Sequence, residues 1–358
     1  MITLRPDARY GLVVPTSMGV RLHPLDRQPV HTSTSFTLSV TSAETNVASI
    51  PAALGVPTHV LTRFVAGSPI AERIRQDLRG RGMTCEGPEI EPGGAWGYRH
   101  QFNIADSGFG GRGPRVYNDR AGEVGRTLTT ADFDLDRLFR DEGVQIVHMS
   151  GLVAALSPTT SALCVEIARA ARAHGTAVSF DLNYRASFWA GREEELSAAF
   201  HAIASEADIL VGNEEDFQLA LGIGGPDAGG TDLAGNLDRF HEMTDRIRDA
   251  FPRPQLFATT LREVVSANRH LWGAIVTAGD ERYAVTPREI EVLDRIGGGD
   301  GFVGGLLYGI LRGWDAERAM QFGWATGAMA ATMVTDYALP ADEAQVWSIW
   351  NGNARVQR

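Results

Sequence analysis

Asp294-Arg295-Ile296-Gly297-Gly298-Gly299-Asp300-Gly301-Phe302-Val303-Gly304-Gly305-Leu306-Leu307-Tyr308-Gly309 decides how the rest of this 358-residue chain is read. Three glycines run into an aspartate, and an apolar segment of helical length follows. Glycine reaches backbone angles closed to other residues, so the N–H groups of Gly297, Gly298 and Gly299 can turn toward one point. A helix beginning near Asp300 adds its unpaired N–H groups and its dipole, which makes an anion site. Asp300 then stands beside a bound phosphate with its carboxylate free to accept a proton. That pairing suits phosphoryl transfer to an alcohol, in which donors hold the moving group while a base takes the hydroxyl proton.

Other readings of the stretch are weaker. Gly299, Gly301 and Gly304 also fit G-x-G-x-x-G, but the acidic residue expected about 20 positions on falls in a helical segment, not at a strand tip. A nucleotide P-loop needs a lysine, and the chain has none. The plainest alternative is a glycine-rich turn before a buried helix.

The missing lysine reaches further, because all 33 basic residues are arginine. Schiff bases, the P-loop lysine, the protein-kinase strand lysine and Ser-x-x-Lys hydrolases are all excluded. Any phosphate must be held by arginine, main-chain amides or metal. A net charge of −11 argues against nucleic-acid binding. Cys85 and Cys164 lack metal-ligand spacing and read as reduced thiols. Met1 to Val20 carries no apolar run of the signal-peptide kind, and nothing approaches a membrane span, so a cytoplasmic protein is expected.

Residues 11 to 45 alternate apolar and polar residues and read as short strands. Asn46–Leu54 reads as a helix, Thr58–Phe64 as a strand and Ile70–Gly82 as a helix. Strand-like pieces return between Trp96 and Arg126, split by a glycine-rich loop at residues 108–114. From residue 144 strands and helices alternate. Val144–Met149, Thr176–Asp181, Asp208–Val211, Gln255–Thr260 and Gly273–Thr277 read as strands. Ser157 with Pro158 starts a helix closed by Gly175. Further helices are expected over Arg192–Ala204, Asp300–Arg312, Ala316–Met333 and Ala344–Trp350. Repeated βα units imply a mostly parallel sheet with its site at the strand carboxyl ends, and the early strands imply a small β lid. His148, Trp324, Met329 and Met333 read as core residues.

Polar clusters fall where such a sheet places its site: Asp181-Leu182-Asn183-Tyr184-Arg185, Asn213-Glu214-Glu215-Asp216, Thr259-Thr260-Leu261-Arg262-Glu263, and the glycine turn as the fourth. Each alone could be a cap or a loop. Arg185 can bind phosphate or carboxylate through two donors, and Asn213 with Asp216 could hold hydrated magnesium.

These pieces carry a resemblance. VSFDLNYRASFW, VGNEEDF, TTLREVVSANRHLW, DRIGGGDGF and the terminal ARVQR resemble the ribokinase-like (PfkB) sugar kinases, and within them the 2-keto-3-deoxygluconate kinase branch. The resemblance implies a ribokinase-like α/β three-layer sandwich whose core takes residues 1–15, 41–95 and 127–358. Its β lid takes 16–40 and 96–126. It implies phosphorylation of a sugar or sugar acid by ATP with Mg2+, and it leaves room for a monovalent cation and for a homodimer through the lid. Asp300 matches the base of that family, and Gly297, Gly298 and Gly299 its anion hole. Asn213 and Asp216 match its magnesium and phosphate element, with Asp216 the metal-side carboxylate, one methylene shorter than the usual glutamate. Thr260 and Arg262 match nucleotide-side positions. Asn46, Tyr98, Asn118, Arg120 and Arg185 match positions that recognise the sugar acid.

The departures concern substrate more than fold. Thr41-Ser42 stands where the family has a glycine pair, and Thr16-Ser17 where it has Gly-Glu. Its Pro-Gly-Asp is not recognisable around Asp336 to Ala341. A kinase for a neutral sugar such as fructose or ribose, or a non-catalytic sugar or nucleotide sensor, therefore stays open beside the sugar-acid kinase.

Overall fold

A computed structural model describes residues 2–226 and 237–355. The last residues of the ARVQR match, 356–358, lie outside them. The strands in chain order are β1 (Tyr10–Pro15), β2 (Gly19–Pro24), β3 (Phe36–Thr41), β4 (Thr58–Leu61), β5 (Phe64–Val65), β6 (Met83–Glu86), β7 (Glu89–Ile90), β8 (Gln101–Asp106) and β9 (Arg115–Asp119). They continue with β10 (Val144–Ser150), β11 (Ala177–Asp181), β12 (Ile209–Val211), β13 (Leu256–Ser266), β14 (Arg269–Ala278) and β15 (Glu281–Glu291). The helices are α1 (Ala43–Ala53), α2 (Pro69–Gly80), α3 (Gly151–Ala154), α4 (Pro158–Ala173), α5 (Ala186–Trp189) and α6 (Glu193–Glu206). After them come α7 (Glu214–Leu221), α8 (Leu237–Ala250), α9 (Gly298–Leu311), α10 (Ala316–Ala330) and α11 (Glu343–Trp350).

The central sheet runs β15-β14-β13-β12-β11-β10-β1-β4-β6. Its middle strands are apolar on both faces, as in Tyr10–Pro15, which is buried throughout. That is what a parallel sheet covered by helices on both sides demands. Alternate residues of β1 separate the two cores. Val13 packs with Leu163, Ile167, Phe200 and Phe217 of α4, α6 and α7. Leu12 and Val14 pack with Ile50, Phe302, Leu306 and Phe322 of α1, α9 and α10. A second sheet, β3-β2-β8-β9, stands apart from the first. Its β2–β8 pair is parallel and its outer pairs are antiparallel.

The α4 start follows the sequence signal closely. The Ser157 side chain accepts from Thr160 N–H and Pro158 opens the helix. The helix expected over Asn46–Leu54 starts earlier, at Ala43, because Ser42 caps it by accepting from Thr45 N–H. The amphipathic α8, which buries Phe240, Met243, Thr244 and Ile247, was not anticipated.

One expectation needs correcting. The βα rhythm does not run up to the glycine turn, because β13, β14 and β15 form an antiparallel meander. Gln255–Thr260 is only the first half of a strand that continues to Ser266, and an unanticipated strand, β15, leads toward the glycines. The cause is loop length. Only Ala267-Asn268 and Gly279-Asp280 join these strands, and two-residue loops connect antiparallel neighbours, whereas a parallel crossover needs a dozen residues or more. Thr260 and Arg262 therefore lie within a long strand and not just beyond a strand end.

Candidate active site

Gly297 caps α9 with φ +83°, a left-handed conformation that a side chain strains. It also has no room for one, since a Cβ there would lie 1.8 Å from the Asp336 carbonyl oxygen. A Cβ on Gly299 would meet nothing within 4 Å, so this residue faces the open cleft. Gly301 N–H makes the helix's first main-chain bond, to Gly297 C=O at 2.8 Å. The amides before it, from Gly298, Gly299 and Asp300, belong to the turn whose donors have no partner inside the helix. Gly304 and Gly305 serve another purpose. Their Cα faces press on Val47 C=O and on Gly323 and Thr326, letting α1 and α10 approach α9 closely.

Asp300 sits in the first turn of α9, half-buried on the cleft floor. Asn46, from α1, donates its Nδ2 to Asp300 Oδ2 at 2.8 Å. Desolvation pushes the carboxyl up to about 7; the Asn46 bond and Arg185 oppose the shift, while Asp336 and Glu44 reinforce it.

The cleft encloses ≈ 810 Å³ between the small sheet and the strand ends of the large one. Alternate residues of β8 and β9 line it, Gln101, Asn103 and Ala105 from one and Val116 and Asn118 from the other, with Arg120 in step just past the end of β9. This is the period-2 display of one sheet face. Asn118 lies directly across from Asn103. Arg120 pairs with Glu123 at 2.7 Å and lies 5.1 Å from the ring centre of Phe188. Asn46 Oδ1, Gln101 Oε1, Asn103 Oδ1 and Arg120 Nε are buried without a hydrogen-bond partner among the described residues. Such groups are costly unless a ligand satisfies them. Tyr98 is not brought to this wall. It lies just ahead of β8, 42% exposed, with its amide donating to Pro92 C=O at 2.6 Å.

At the other end of the cleft, Asn213 and Asp216 form a reciprocal capping box on α7. Asp216 N–H donates to Asn213 Oδ1 and Asn213 N–H to Asp216 Oδ2, both at 2.9 Å. The second Asp216 oxygen accepts from Tyr184 N–H at 2.8 Å. Beside it stands Asp181, raised well above the usual carboxylate range by burial and by the charges of Asp216 and Asp300. Burial raises Asp216 as well. Among the described residues no three acidic, histidine or cysteine side chains converge as direct metal ligands. With both oxygens of Asp216 engaged, its geometry fits a hydrated Mg2+ reached through water, and the crowding of Asp181, Asp216 and Asp300 is what a divalent cation would relieve.

Thr260, Arg262, Arg185 and Arg295 complete the lining. The surrounding protein and the nearby Arg295 draw Arg262 down to about 10. The fold thus brings Asn46, Asn118, Arg120, Arg185, Asn213, Asp216, Thr260, Arg262, Gly297, Gly299 and Asp300 to one cleft, with Gly298 buried just behind the turn. Sequence reasoning missed Gln101, Asn103 and Arg295, and it missed Asp181 as a cleft carboxylate, although Asp181 opens the DLNYR segment. The unassigned polar residues on alternate positions of β8 were the available signal for the first two.

The sequence profile of the pfkB family carbohydrate kinases matches residues 127–341. A 2-dehydro-3-deoxygalactonokinase of Haloferax volcanii is 27% identical over 343 residues, 95% of this chain and 96% of its own. The 2-dehydro-3-deoxygluconokinase structure from Thermotoga maritima superposes with a TM-score of 0.85 at 25% identity, covering 95% of this chain and 98% of that one. A structure from E. coli solved with ATP and Mg2+ under the name ribokinase II shares the fold, with a TM-score of 0.75 at 17% identity over 96% and 99% of the two chains.

Proposed function

The chain belongs to the pfkB family of carbohydrate kinases, and from that premise we propose that it phosphorylates a hydroxyl of a 2-keto-3-deoxy sugar acid with ATP. The observation that carries this reading is the carboxyl of Asp300, poised at about 7 beside the open glycine turn on the cleft floor. A base near neutrality is matched to taking a hydroxyl proton. Asp300 accepts that proton as the hydroxyl oxygen bonds to the γ-phosphorus and ADP departs. The amides of Gly298, Gly299 and Asp300, presented by Gly297, hold the moving group's oxygens.

Asn46, Asn118 and Arg120 from one side, and Arg185 from the other, orient the sugar acid. Asn213, Thr260 and Arg262 serve the nucleotide. Mg2+, when bound through water at Asp216, would neutralise phosphate charge. Residues 16–40 and 96–126 form the lid over this site. An acid suits the cleft better than a neutral sugar, because Arg120, Arg185, Arg262 and Arg295 all line it. The two relatives named for sugar acids differ in sugar configuration, galactono and glucono, so the proposed acceptor is the class of acid and not one isomer of it. No helix among the described residues is long and apolar enough to cross a membrane.

ADP release measured with both 2-keto-3-deoxy acids, fructose and ribose tests the reading. Turnover is expected with one or both acids. Turnover on a neutral sugar alone would replace the acceptor, and tight binding of a sugar with no ADP from any acceptor would favour a sensor.

A further inference from the structure

Arg21, on the inner strand β2 of the small sheet, is 1% exposed and carries a full charge into the protein. Two carboxylates meet its guanidinium. Nη2 donates to Asp294 Oδ2 at 2.5 Å, and Nη1 makes a short bond to Asp336 Oδ1. Both aspartates are themselves buried. Each belongs to a segment that shapes the glycine turn. Asp294 Oδ1 accepts from Ile296 N–H at 3.0 Å, fixing the approach to Gly297. The main chain of Asp336 lies directly behind Gly297, within 1.8 Å of where a Cβ would be. Thr41, at the end of β3, steadies the far oxygen of Asp336 through its Oγ1 at 2.7 Å.

The glycine turn is therefore bracketed by two negative groups that a single cation holds together, and that cation comes from the lid sheet. Without it, two buried carboxylates would face each other unpaired, a costly arrangement that the flanking loops would relieve by moving apart. Arg21 and Asp336 also line the cleft beside Asp300, so such a movement would displace the anion-binding amides. Thr41 takes part in the same bracket.

We propose that Arg21 is a positioning residue for phosphoryl transfer, a strut through which the small sheet holds the Gly297 turn in its anion-binding shape. It touches neither the acceptor hydroxyl nor the base, and it acts through Asp294 and Asp336. The proposal rests on the kinase reading of the cleft.

The test compares wild type with Arg21→Ala, Arg21→Lys and Thr41→Val by kcat, by KM for ATP and for the sugar acid, and by thermal unfolding. Guanidinium chloride is added in the low millimolar range, with KCl as the control. Arg21→Ala is expected to lose on the order of 10²-fold in kcat, as when an oxyanion donor is removed, with both KM values changing far less. Guanidinium is expected to restore part of that kcat, and Arg21→Lys, with a point charge in place of the fork, to fall between wild type and Arg21→Ala. Loss of Tm with kcat per folded molecule intact would overturn the proposal, as would a kcat loss that guanidinium does not repair. Should Arg21→Ala not fold, Thr41→Val decides: a loss of about 3- to 10-fold in kcat, the worth of one hydrogen bond, is expected, and an unchanged kcat overturns the strut. Failure of the kinase reading shows separately, as absence of ADP release from wild type.

Discussion

Asp300 draws its basicity from opposed neighbours. Desolvation raises its pKa to about 7, and the Asn46 amide, which favours the charged form, restrains it. Only the carboxylate can take the hydroxyl proton, so turnover should rise as pH climbs through about 7 and fall away below it. Removing the Asn46 donor withdraws a bond to the anion. In Asn46→Ala the acidic limb of the kcat–pH profile should therefore move to higher pH by about one unit. A limb that stays in place would separate the profile from Asp300. Asp300 and its glycines are legible in the sequence because all their parts are neighbours in the chain. The Arg21 cluster is not, since Arg21 and Asp336 stand 315 positions apart and only folding joins them. Tyr98 shows the converse: proximity in sequence to the lid wall did not place it on that wall, because the cleft face is set by strand alternation that begins only at β8.

Among the elements, the turn into α9 offers a paired test. Gly297→Ala must place a side chain at φ +83° and against the Asp336 carbonyl. It should cost about 1–3 kcal/mol in urea unfolding, with more if the backbone cannot yield. Gly299→Ala has open space and an ordinary helical position. It should unfold within about 0.5 kcal/mol of wild type, yet place a methyl group against the transferring phosphoryl group and reduce turnover. Equal stabilities for the two variants would contradict the described turn. Most helices were legible from caps and apolar spacing, as at Ser157-Pro158. The β13–β15 meander was not read, although Gly279-Asp280 is itself a hairpin signal. The alternation of strands and helices upstream was carried through to the glycine turn, and β15, exposed or half-buried along almost all of its length, gives a weaker pattern than a buried parallel strand. α8 was not read either, although Phe240, Met243, Thr244 and Ile247 carry helical spacing in the sequence.

At the scale of the molecule, two sheets line one cleft, and ligands that bridge them should stabilise the whole. A sugar acid and a non-hydrolysable ATP analogue, each at about 100 times its Kd, should each add about 2.7 kcal/mol to the unfolding free energy, seen as a rise in Tm. An unmoved Tm with both present would argue against a shared site. The α/β architecture and the lid were readable because the chain spells out apolar strands, capped helices and polar clusters in order. On the proposed reading the acceptor's configuration was not, because Gln101, Asn103 and Asn118 come together on one cleft wall only when β8 and β9 pair. The most direct measurement is ADP release by Asp300→Asn beside wild type, at saturating ATP and 2-keto-3-deoxy acid, with nucleotide binding followed in parallel. ATP binding should persist while turnover falls on the order of 10²–10⁴-fold; turnover close to wild type would contradict Asp300 as the base.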